Sequence, residues 1–255
     1  MKKHIPNAIT LLNLVCGTLA CILALRNRPM AAFYLIVGAA VADFFDGLAA
    51  RLLHSESETG RELDSLCDLV SFGLAPSFMV FRRAIIASTI HTRWMLFTIF
   101  AVTLIYVCCA ALRLARYNST PGRADHNFTG LPVPAAAMLV AATTACSTVA
   151  ADGHVFAPFM GFLNNSWTLL AVELAAAPLM VSRLVHFSLK GKKLSFRQCP
   201  AVCLHLLATI VLIPVLAVLC TGKGGFWANR LALLPFSALI CFVLYEVINL
   251  ASRKK

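Results

Sequence analysis

The sequence predicts an all-α fold, a polytopic bundle of about eight transmembrane helices, and two observations carry this prediction. Of the 255 residues, 60% are hydrophobic and only 13% are charged, and the mean hydropathy is +0.81. Soluble domains contain about 45–50% apolar and about 25% charged residues, so lipid rather than water must surround most of this surface. The apolar residues also fall into runs of about 20, which is the length that a helix needs to cross a bilayer. The chain, 1–255, is therefore predicted to form a single membrane domain.

Polar breaks divide the apolar runs into eight predicted spans. They lie at residues 9–25, 30–52, 63–82, 94–113, 131–151, 166–188, 199–220 and 228–249. The first run is long and is followed closely by the second, so it is predicted to be a span rather than a cleaved leader. The alternative is a first helix that lies along the membrane surface, which would change the number of crossings.

The distribution of charge predicts which way the spans face. With eight spans both termini lie on one side, and that side carries 15 of the 22 basic residues. The positive-inside rule then places this side in the cytoplasm, so we expect an integral protein of an inner or plasma membrane. Arg82, Arg83 and Arg93 fall on the other side and count against this orientation. Nucleic acid is not an expected partner, because the basic residues are scattered over short loops, where anionic lipid explains them better.

Four aspartates lie where the bilayer should exclude them: Asp43 and Asp46 in the second span, Asp64 and Asp68 at the start of the third. Each carboxylate at the centre of a membrane helix costs about 2.5–3.5 kcal/mol. Spacings of three and four residues place each pair on one helical face, and a short connection makes the two helices neighbours. Converging carboxylates repel one another unless they share protons or bind cations, and hard oxygen ligands suit Mg²⁺, Mn²⁺ or Ca²⁺. A site for two divalent ions is predicted, with a structural ion network or a proton relay as the alternative.

The residues between the two acidic pairs indicate a diphosphate site. Gly47 leaves the backbone open beside Asp46, and Arg51, one turn further on, offers a planar guanidinium to a phosphate oxygen. Ser57 in the connection can donate a hydroxyl to a phosphate, and Gly60 permits a close approach of helices. Each glycine taken alone is more often a packing residue. Their combination with the aspartates favours a role in binding.

The segment from Asp43 to Asp68, DFFDGLAARLLHSESETGRELDSLCD, resembles the signature of the CDP-alcohol phosphatidyltransferase family. That signature is D-x2-D-G-x2-A-R-x8-G-x3-D-x3-D, and all eight fixed positions are present. Three further stretches are similar to one branch of the family, the CDP-diacylglycerol–serine phosphatidyltransferases. They are Ile5 to Gly17, Leu63 to Ser77, and Arg113 to Asn118 together with Phe128 to Ala137. By this resemblance residues 1–140 hold the catalytic helices, and 141–255 add further transmembrane helices.

The resemblance implies an enzyme that transfers the phosphatidyl group of CDP-diacylglycerol to the hydroxyl of L-serine, giving phosphatidylserine and CMP. It implies two divalent ions, Mg²⁺ or Mn²⁺ and alternatively Ca²⁺, and a homodimer. The metal ligands would be Asp43, Asp46, Asp64 and Asp68, and Asp68 would also accept the proton of the attacking hydroxyl. The contacts to the CDP group would come from Asn7, Gly47, Arg51 and Ser57. For Asn7 the alternative is a helix cap.

The acceptor pocket is predicted at the end of the fourth span. Serine carries a carboxylate and an ammonium group, so its pocket needs a cation and hydrogen-bond acceptors. The segment RLARYN supplies Arg113, Arg116 and Asn118, although arginines at such a place also serve as membrane anchors or bind lipid phosphate. Two other functions stay open. One is the same chemistry with glycerol 3-phosphate or an inositol compound as acceptor, and the other is an ion-coupled transporter, which predicts inverted repeats that we do not find.

Overall fold

The computed structural model describes residues 4–55, 57–88, 92–119, 127–148, 161–182 and 185–187. Within these ranges the chain is helical except for turns and two strands of three residues each, which confirms the predicted all-α class. The last two predicted spans, 199–220 and 228–249, lie outside the described residues.

The helices follow one another with short connections. They are α1 (His4–Leu25), α2 (Pro29–Leu52), α3 (Glu58–Asp68), a π-helical segment (Leu69–Leu74), α4 (Ala75–Ala87), α5 (Arg93–Asn118), α6 (Val133–Cys146) and α7 (Ser166–Val181). Four helical stretches of the described chain are long and apolar enough to cross a membrane, namely Ile5–Leu25, Pro29–Leu52, Glu58–Ala87 and Arg93–Asn118. The helices α6 and α7 are apolar but shorter. The protein is therefore an integral membrane protein.

The first two helices pack against each other as a hairpin. Asn27 turns the chain with a positive φ of 56°, in the left-handed region that Asn tolerates better than most residues. Pro29 then occupies the start of α2, where its missing N–H leaves no hydrogen bond unmade. The predicted span 30–52 agrees with α2 to within one residue.

The third span is longer than the predicted 63–82, because α3, the π-helical segment and α4 are continuous from Glu58 to Ala87. The helix begins early since Ser57 caps it: the Ser57 hydroxyl accepts a hydrogen bond of 3.1 Å from the backbone N–H of Gly60. Its first turns are polar, so hydropathy alone does not reveal them. The metal-binding candidates Asp64 and Asp68 consequently lie inside a helix, not at its start.

Two later spans also differ from their predicted bounds. The fourth was predicted at 94–113, but α5 continues to Asn118 through a polar last turn. The sixth was predicted to run to residue 188, and this is wrong, since α7 ends at Val181. Pro178 removes a backbone donor near that end, and Ser182 is already extended. The predicted fifth span, 131–151, is observed as α6 over Val133–Cys146, after Pro132 at its N-cap.

A short antiparallel pairing joins the chain before α6 to the chain after α7. The strands β1 (Asn127–Thr129) and β2 (Val185–Phe187) pair with Phe128 opposite His186. Next to them Gly130 has a φ of +82°, and a Cβ at this position would collide with the carbonyl oxygen of Met180. The backbone N–H of Leu131 donates to the carbonyl of Leu179 over 2.9 Å. The entry to α6 is thereby fixed onto the end of α7.

The two ends of the bundle are held by different chemistry. At the end where α4 stops, the guanidinium of Arg83 donates to the hydroxyl and carbonyl of Ser147 and, over 2.6 Å, to the side chain of Asn164. The Ser166 hydroxyl donates to the carbonyl of Ala84 nearby. Arg83 therefore joins the ends of α4 and α6 to the start of α7. The four aspartates lie at the opposite end, where α2 stops and α3 begins.

Small side chains fill much of the space between the helices, together with a few large ones such as Tyr106, Phe72 and Ile36. The buried core is rich in alanine, including Ala20, Ala24, Ala39, Ala75, Ala84, Ala110, Ala136 and Ala141. Such residues let helices approach closely in a membrane, where packing rather than the hydrophobic effect drives association. Phe44, Phe97 and Phe100 are exposed and so are available to lipid.

Candidate active site

Three carboxylates converge between α2 and α3. One oxygen from each of Asp43, Asp64 and Asp68 lies within 4.8 Å of the other two. Asp68 is buried, with 7% of its surface exposed, and Asp43 and Asp64 are half-buried. Three anionic groups at this separation repel one another strongly, and a bound cation relieves the repulsion. The prediction that the two acidic pairs meet is confirmed for these three residues.

Asp46 stands one helical turn from Asp43 and is buried, with 4% of its surface exposed. The Thr10 hydroxyl of α1 lies beside its carboxylate. Its Oδ2 atom has no hydrogen-bond partner among the described residues. A buried carboxylate oxygen needs such a partner, so an ion is the natural ligand for it. The cluster of Asp43, Asp64 and Asp68 is a donor set of hard oxygens that fits a divalent cation such as Mg²⁺ or Mn²⁺, and Asp46 lies outside this cluster of three.

Asp68 is held in place from α1 by a residue that the sequence analysis did not single out. The side-chain nitrogen of Asn13, which is fully buried, donates to Asp68 Oδ1 over 3.0 Å. The hydroxyl of Ser71 in turn donates to the main-chain carbonyl of Asn13 over 3.1 Å. Gly17 makes this approach feasible, because a Cβ there would lie 2.7 Å from the Cα of Ser71. An amide in an apolar run, three residues after Thr10 on the same face, was the available signal.

The helix that carries Asp68 changes its winding immediately after it. The π-helical segment begins at Leu69, and the fully buried Tyr106 of α5 donates its hydroxyl to the carbonyl of Phe72 within it, over 3.3 Å. Single π-helical turns inside an α-helix leave carbonyls that need other donors, and they often occur at functional sites. Tyr106 thus supports the backbone next to Asp68.

The candidate CDP contacts lie on both sides of the connection between α2 and α3. A Cβ added at Gly47 would meet nothing within 4 Å, so the backbone is open there as predicted. The Nε of the exposed Arg51 donates to the Gly47 carbonyl over 3.0 Å, and this bond does not use the two terminal nitrogens of its guanidinium. The Ser57 hydroxyl is used as the cap of α3. A Cβ at Gly60 would lie 3.0 Å from this hydroxyl and 3.4 Å from Asn7 Oδ1. Asn7 of α1 therefore lies close to Ser57 and Gly60 at the start of α3.

The three candidate acceptor contacts at the end of α5 have different surroundings. The Nε of Arg113 is buried and has no hydrogen-bond partner within the described chain, and Asp68 is close enough to act on its charge. Arg116 is exposed and donates to the carbonyl of Val181 over 3.4 Å. Asn118 donates to the hydroxyl of Ser65 over 2.9 Å and so joins α5 to α3. Arg113 is thus near enough to the carboxylate cluster to interact with the charge of Asp68.

One further acid is buried away from the cluster. Glu173 in α7 has no exposed surface, and neither carboxylate oxygen makes a hydrogen bond within the described part of the chain. The Ser77 hydroxyl lies near it, and Tyr106 is close enough to sense its charge. Glu173 therefore lies near Tyr106, the residue whose hydroxyl donates to the π-helical segment.

The apolar helices and the aspartate cluster at one end of the bundle define the class of protein: it is a polytopic membrane protein with a candidate metal site. The family profile of the CDP-alcohol phosphatidyltransferases matches residues 3–178. The chain therefore belongs to the CDP-alcohol phosphatidyltransferase family. The matched region includes all helices from α1 to α6 and most of α7. The family generally uses divalent metals, in agreement with the carboxylate cluster.

Several curated proteins are similar to the first part of the chain. The CDP-diacylglycerol–serine O-phosphatidyltransferase of Mycobacterium tuberculosis is 37% identical over 140 residues, which are 52% of this chain and 46% of that protein. The enzyme of the same name from Bacillus subtilis is 38% identical over 136 residues, 53% of this chain and 72% of that protein. The archaetidylserine synthase of Methanothermobacter thermautotrophicus is 33% identical over 141 residues, 53% of this chain and 55% of that protein. The chain thus spans about half the length of the mycobacterial relatives.

Proposed function

We propose that this protein transfers the phosphatidyl group of CDP-diacylglycerol to the hydroxyl of L-serine and releases CMP. The observation that carries the proposal is the convergence of Asp43, Asp64 and Asp68 within 4.8 Å, in the register of the family signature. Similarity to proteins named for this transfer supports serine as the acceptor. The name of the archaeal relative also ends in serine synthase, which favours a serine acceptor over a phosphorylated one.

In this proposal Asp43, Asp46, Asp64 and Asp68 hold two divalent ions, Mg²⁺ or Mn²⁺. Ions bound there supply positive charge that neutralises the diphosphate and the departing CMP. Gly47 leaves room for the diphosphate beside the helix, and the terminal nitrogens of the exposed Arg51 would donate to a phosphate oxygen. The Ser57 hydroxyl is already engaged as a helix cap, so its contact with CDP would use its remaining hydrogen-bonding capacity, with Asn7 beside it.

Asp68 is the proposed general base. It accepts the proton of the serine hydroxyl as the hydroxyl oxygen bonds to the phosphorus that carries the diacylglycerol, while the bond from that phosphorus to the CMP oxygen breaks. The bond from Asn13 fixes which Asp68 oxygen faces away from α1. Arg113 has a buried Nε without a partner in the described chain and interacts with the charge of Asp68, so it is the proposed partner of the serine carboxylate, and Asn118 supports the same helix end. Arg116, the second proposed acceptor contact, donates to the carbonyl of Val181 at the end of α7.

The remaining parts of the proposal concern the setting. The aspartate end of the bundle faces the cytoplasm of an inner or plasma membrane, where CDP-diacylglycerol and serine are available. The working unit is a homodimer within the lipid bilayer. Residues 1–140 carry the catalytic groups, and 141–255 complete the membrane domain.

The experiment is release of CMP from CDP-diacylglycerol by the purified full-length protein in detergent with Mg²⁺ or Mn²⁺. Serine, glycerol 3-phosphate and inositol are supplied one at a time. We expect release with serine only, and a loss of at least about a hundredfold in kcat for Asp68→Asn, because removal of a general base costs about 10²–10⁴-fold. Glu62→Gln, an exposed acid on the same helix, is the matched control and should keep its activity. Release with glycerol 3-phosphate or inositol instead would refute the choice of acceptor.

A further inference from the structure

The orientation of the Asn13 side chain is determined by its neighbours. Its amide nitrogen donates to Asp68 Oδ1, and the reverse orientation would place the amide oxygen against a carboxylate oxygen. The residue is fully buried, and the bond from Ser71 to its main-chain carbonyl holds the helix at this point. The amide oxygen must therefore lie on the other side of the same planar group, a short distance from Asp68.

This amide oxygen is an unused acceptor. Asn13 Oδ1 is buried and has no hydrogen-bond partner among the residues that the structure describes. A buried acceptor without a donor costs about 1–3 kcal/mol, so such an atom in a folded protein calls for a ligand. The three carboxylates nearby give this region a negative potential, which attracts a cationic donor and repels an anion.

A complementary unused donor lies on another helix. Arg113 Nε is buried without a partner in the described chain, and its guanidinium is close enough to Asp68 for their charges to interact. Asp68 therefore has an unpaired acceptor near it on α1 and an unpaired donor near it on α5. An amino acid with a side-chain hydroxyl presents the matching set: an ammonium group, a carboxylate and the hydroxyl whose proton Asp68 accepts.

We propose that the side-chain oxygen of Asn13 binds the ammonium group of the amino-acid acceptor while its side-chain nitrogen positions Asp68. This inference rests on the proposed function and deepens it, since it assigns the ammonium subsite that distinguishes serine from glycerol 3-phosphate and inositol. Neither of those two compounds carries an amine, so neither satisfies the Asn13 oxygen.

The test uses L-alanine, which has the ammonium and carboxylate groups of serine but no hydroxyl to react, and propionate, which also lacks the ammonium. Binding of each to the full-length protein loaded with CDP-diacylglycerol and Mn²⁺ is measured by isothermal titration, which needs no turnover. For Asn13→Ala we expect the Kd of L-alanine to rise at least about tenfold, the loss typical of a hydrogen bond to a charged group. The Kd of propionate should stay within about twofold.

Two further variants keep the result interpretable. Asn13→Thr retains a hydroxyl that can donate to Asp68 but lacks the second polar atom, so it should weaken L-alanine binding while losing less kcat than Asn13→Ala. Thr18→Ala removes an exposed hydroxyl from the same helix and should change neither quantity. An unchanged Kd of L-alanine in both Asn13 variants, or equal weakening of propionate, would overturn the inference. Absence of serine-dependent CMP release by the unsubstituted protein would instead refute the proposed function.

Discussion

At the scale of single residues, the contact between Gly17 and Ser71 decides how closely α1 approaches the helix that carries Asp68. A Cβ at Gly17 would fall 2.7 Å from the backbone Cα of Ser71, which is not a flexible group that can move aside. We expect Gly17→Ala to destabilise the protein by about 1–3 kcal/mol, as overpacked core sites do, and to lower kcat because Asn13 and Asp68 lose their register. Thermal unfolding and CMP release measure the two effects.

Gly38 provides the matched control for this substitution. It also lies inside a membrane helix, but a Cβ there would meet only the sulfur of Cys16, at an ordinary distance of 3.9 Å. Replacing a helical glycine by alanine gains about 1 kcal/mol of intrinsic helix stability at either position. Gly38→Ala should therefore keep or raise the melting temperature. Equal effects of the two substitutions would show that the close contact at Gly17 is unimportant.

The carboxylate cluster leads to a second prediction at this scale. Asp43→Asn removes one charge from the three that converge, so the affinity for a divalent ion should fall. We expect the Mn²⁺ concentration for half-maximal CMP release to rise about tenfold or more, and the stabilisation of the protein by Mn²⁺ in thermal unfolding to shrink. Chelation with EDTA should abolish activity in the unsubstituted protein. Glu58→Gln, an exposed acid at the same end of the bundle, should behave like the unsubstituted protein, and a metal response that Asp43→Asn leaves intact would argue against the site.

At the scale of helices, Arg83 is the main polar connection at the end of the bundle opposite the aspartates. Arg83→Leu removes the donors to Ser147 and Asn164 and leaves the acceptors of the buried Ser147 without this partner. We expect a loss of about 2–3 kcal/mol, which corresponds to a fall of about 5–10 °C in Tm, with the KM for serine unchanged. Arg82→Leu is the control, because Arg82 is exposed. A changed KM for serine without a change in Tm would contradict a purely structural role.

Helix type and approximate position were predictable from sequence, whereas the ends of the helices were not. Hydropathy located α2 to within one residue because its boundaries coincide with Pro29 and with a polar turn. It missed the first turns of α3, where the Ser57 cap and not hydropathy sets the start. It also extended α7 past Val181, since apolar residues such as Leu184, Val185 and Phe187 continue beyond the observed end of the helix.

The candidate site divides in the same way. The aspartates were predictable because four acids in apolar runs are costly and their spacing specifies a shared face. Asn13 was not, because a single amide in a membrane helix has many uses, and its partner Asp68 is 55 residues away in the sequence. The π-helical segment after Asp68 was not predictable from the sequence either, because one of its carbonyls accepts a hydrogen bond from Tyr106 on another helix.

At the scale of the whole molecule, the proposed orientation makes the two ends of the bundle chemically distinguishable. Glu58 is exposed at the aspartate end and Arg93 is exposed where α5 begins, at the opposite end. We expect Glu58→Cys to react with a membrane-impermeant maleimide in inside-out vesicles and Arg93→Cys to react in right-side-out vesicles. The unsubstituted protein measures the background from its native cysteines. Labelling with the opposite sidedness would place the site on the outer face.

Glu173 has a consequence for the biogenesis of the protein. An acid near the middle of the 16-residue helix α7 opposes partitioning of that helix into lipid by about 2.5–3.5 kcal/mol. In the folded protein this carboxylate lies against Ser77 and Tyr106, which belong to helices synthesised earlier. We therefore expect α7 to be retained in the membrane only after α4 and α5 have formed a surface that receives it. The position of this one buried side chain thus determines the order in which the helices can insert. In a nascent chain that lacks the surface formed by α4 and α5, α7 would be exposed to degradation.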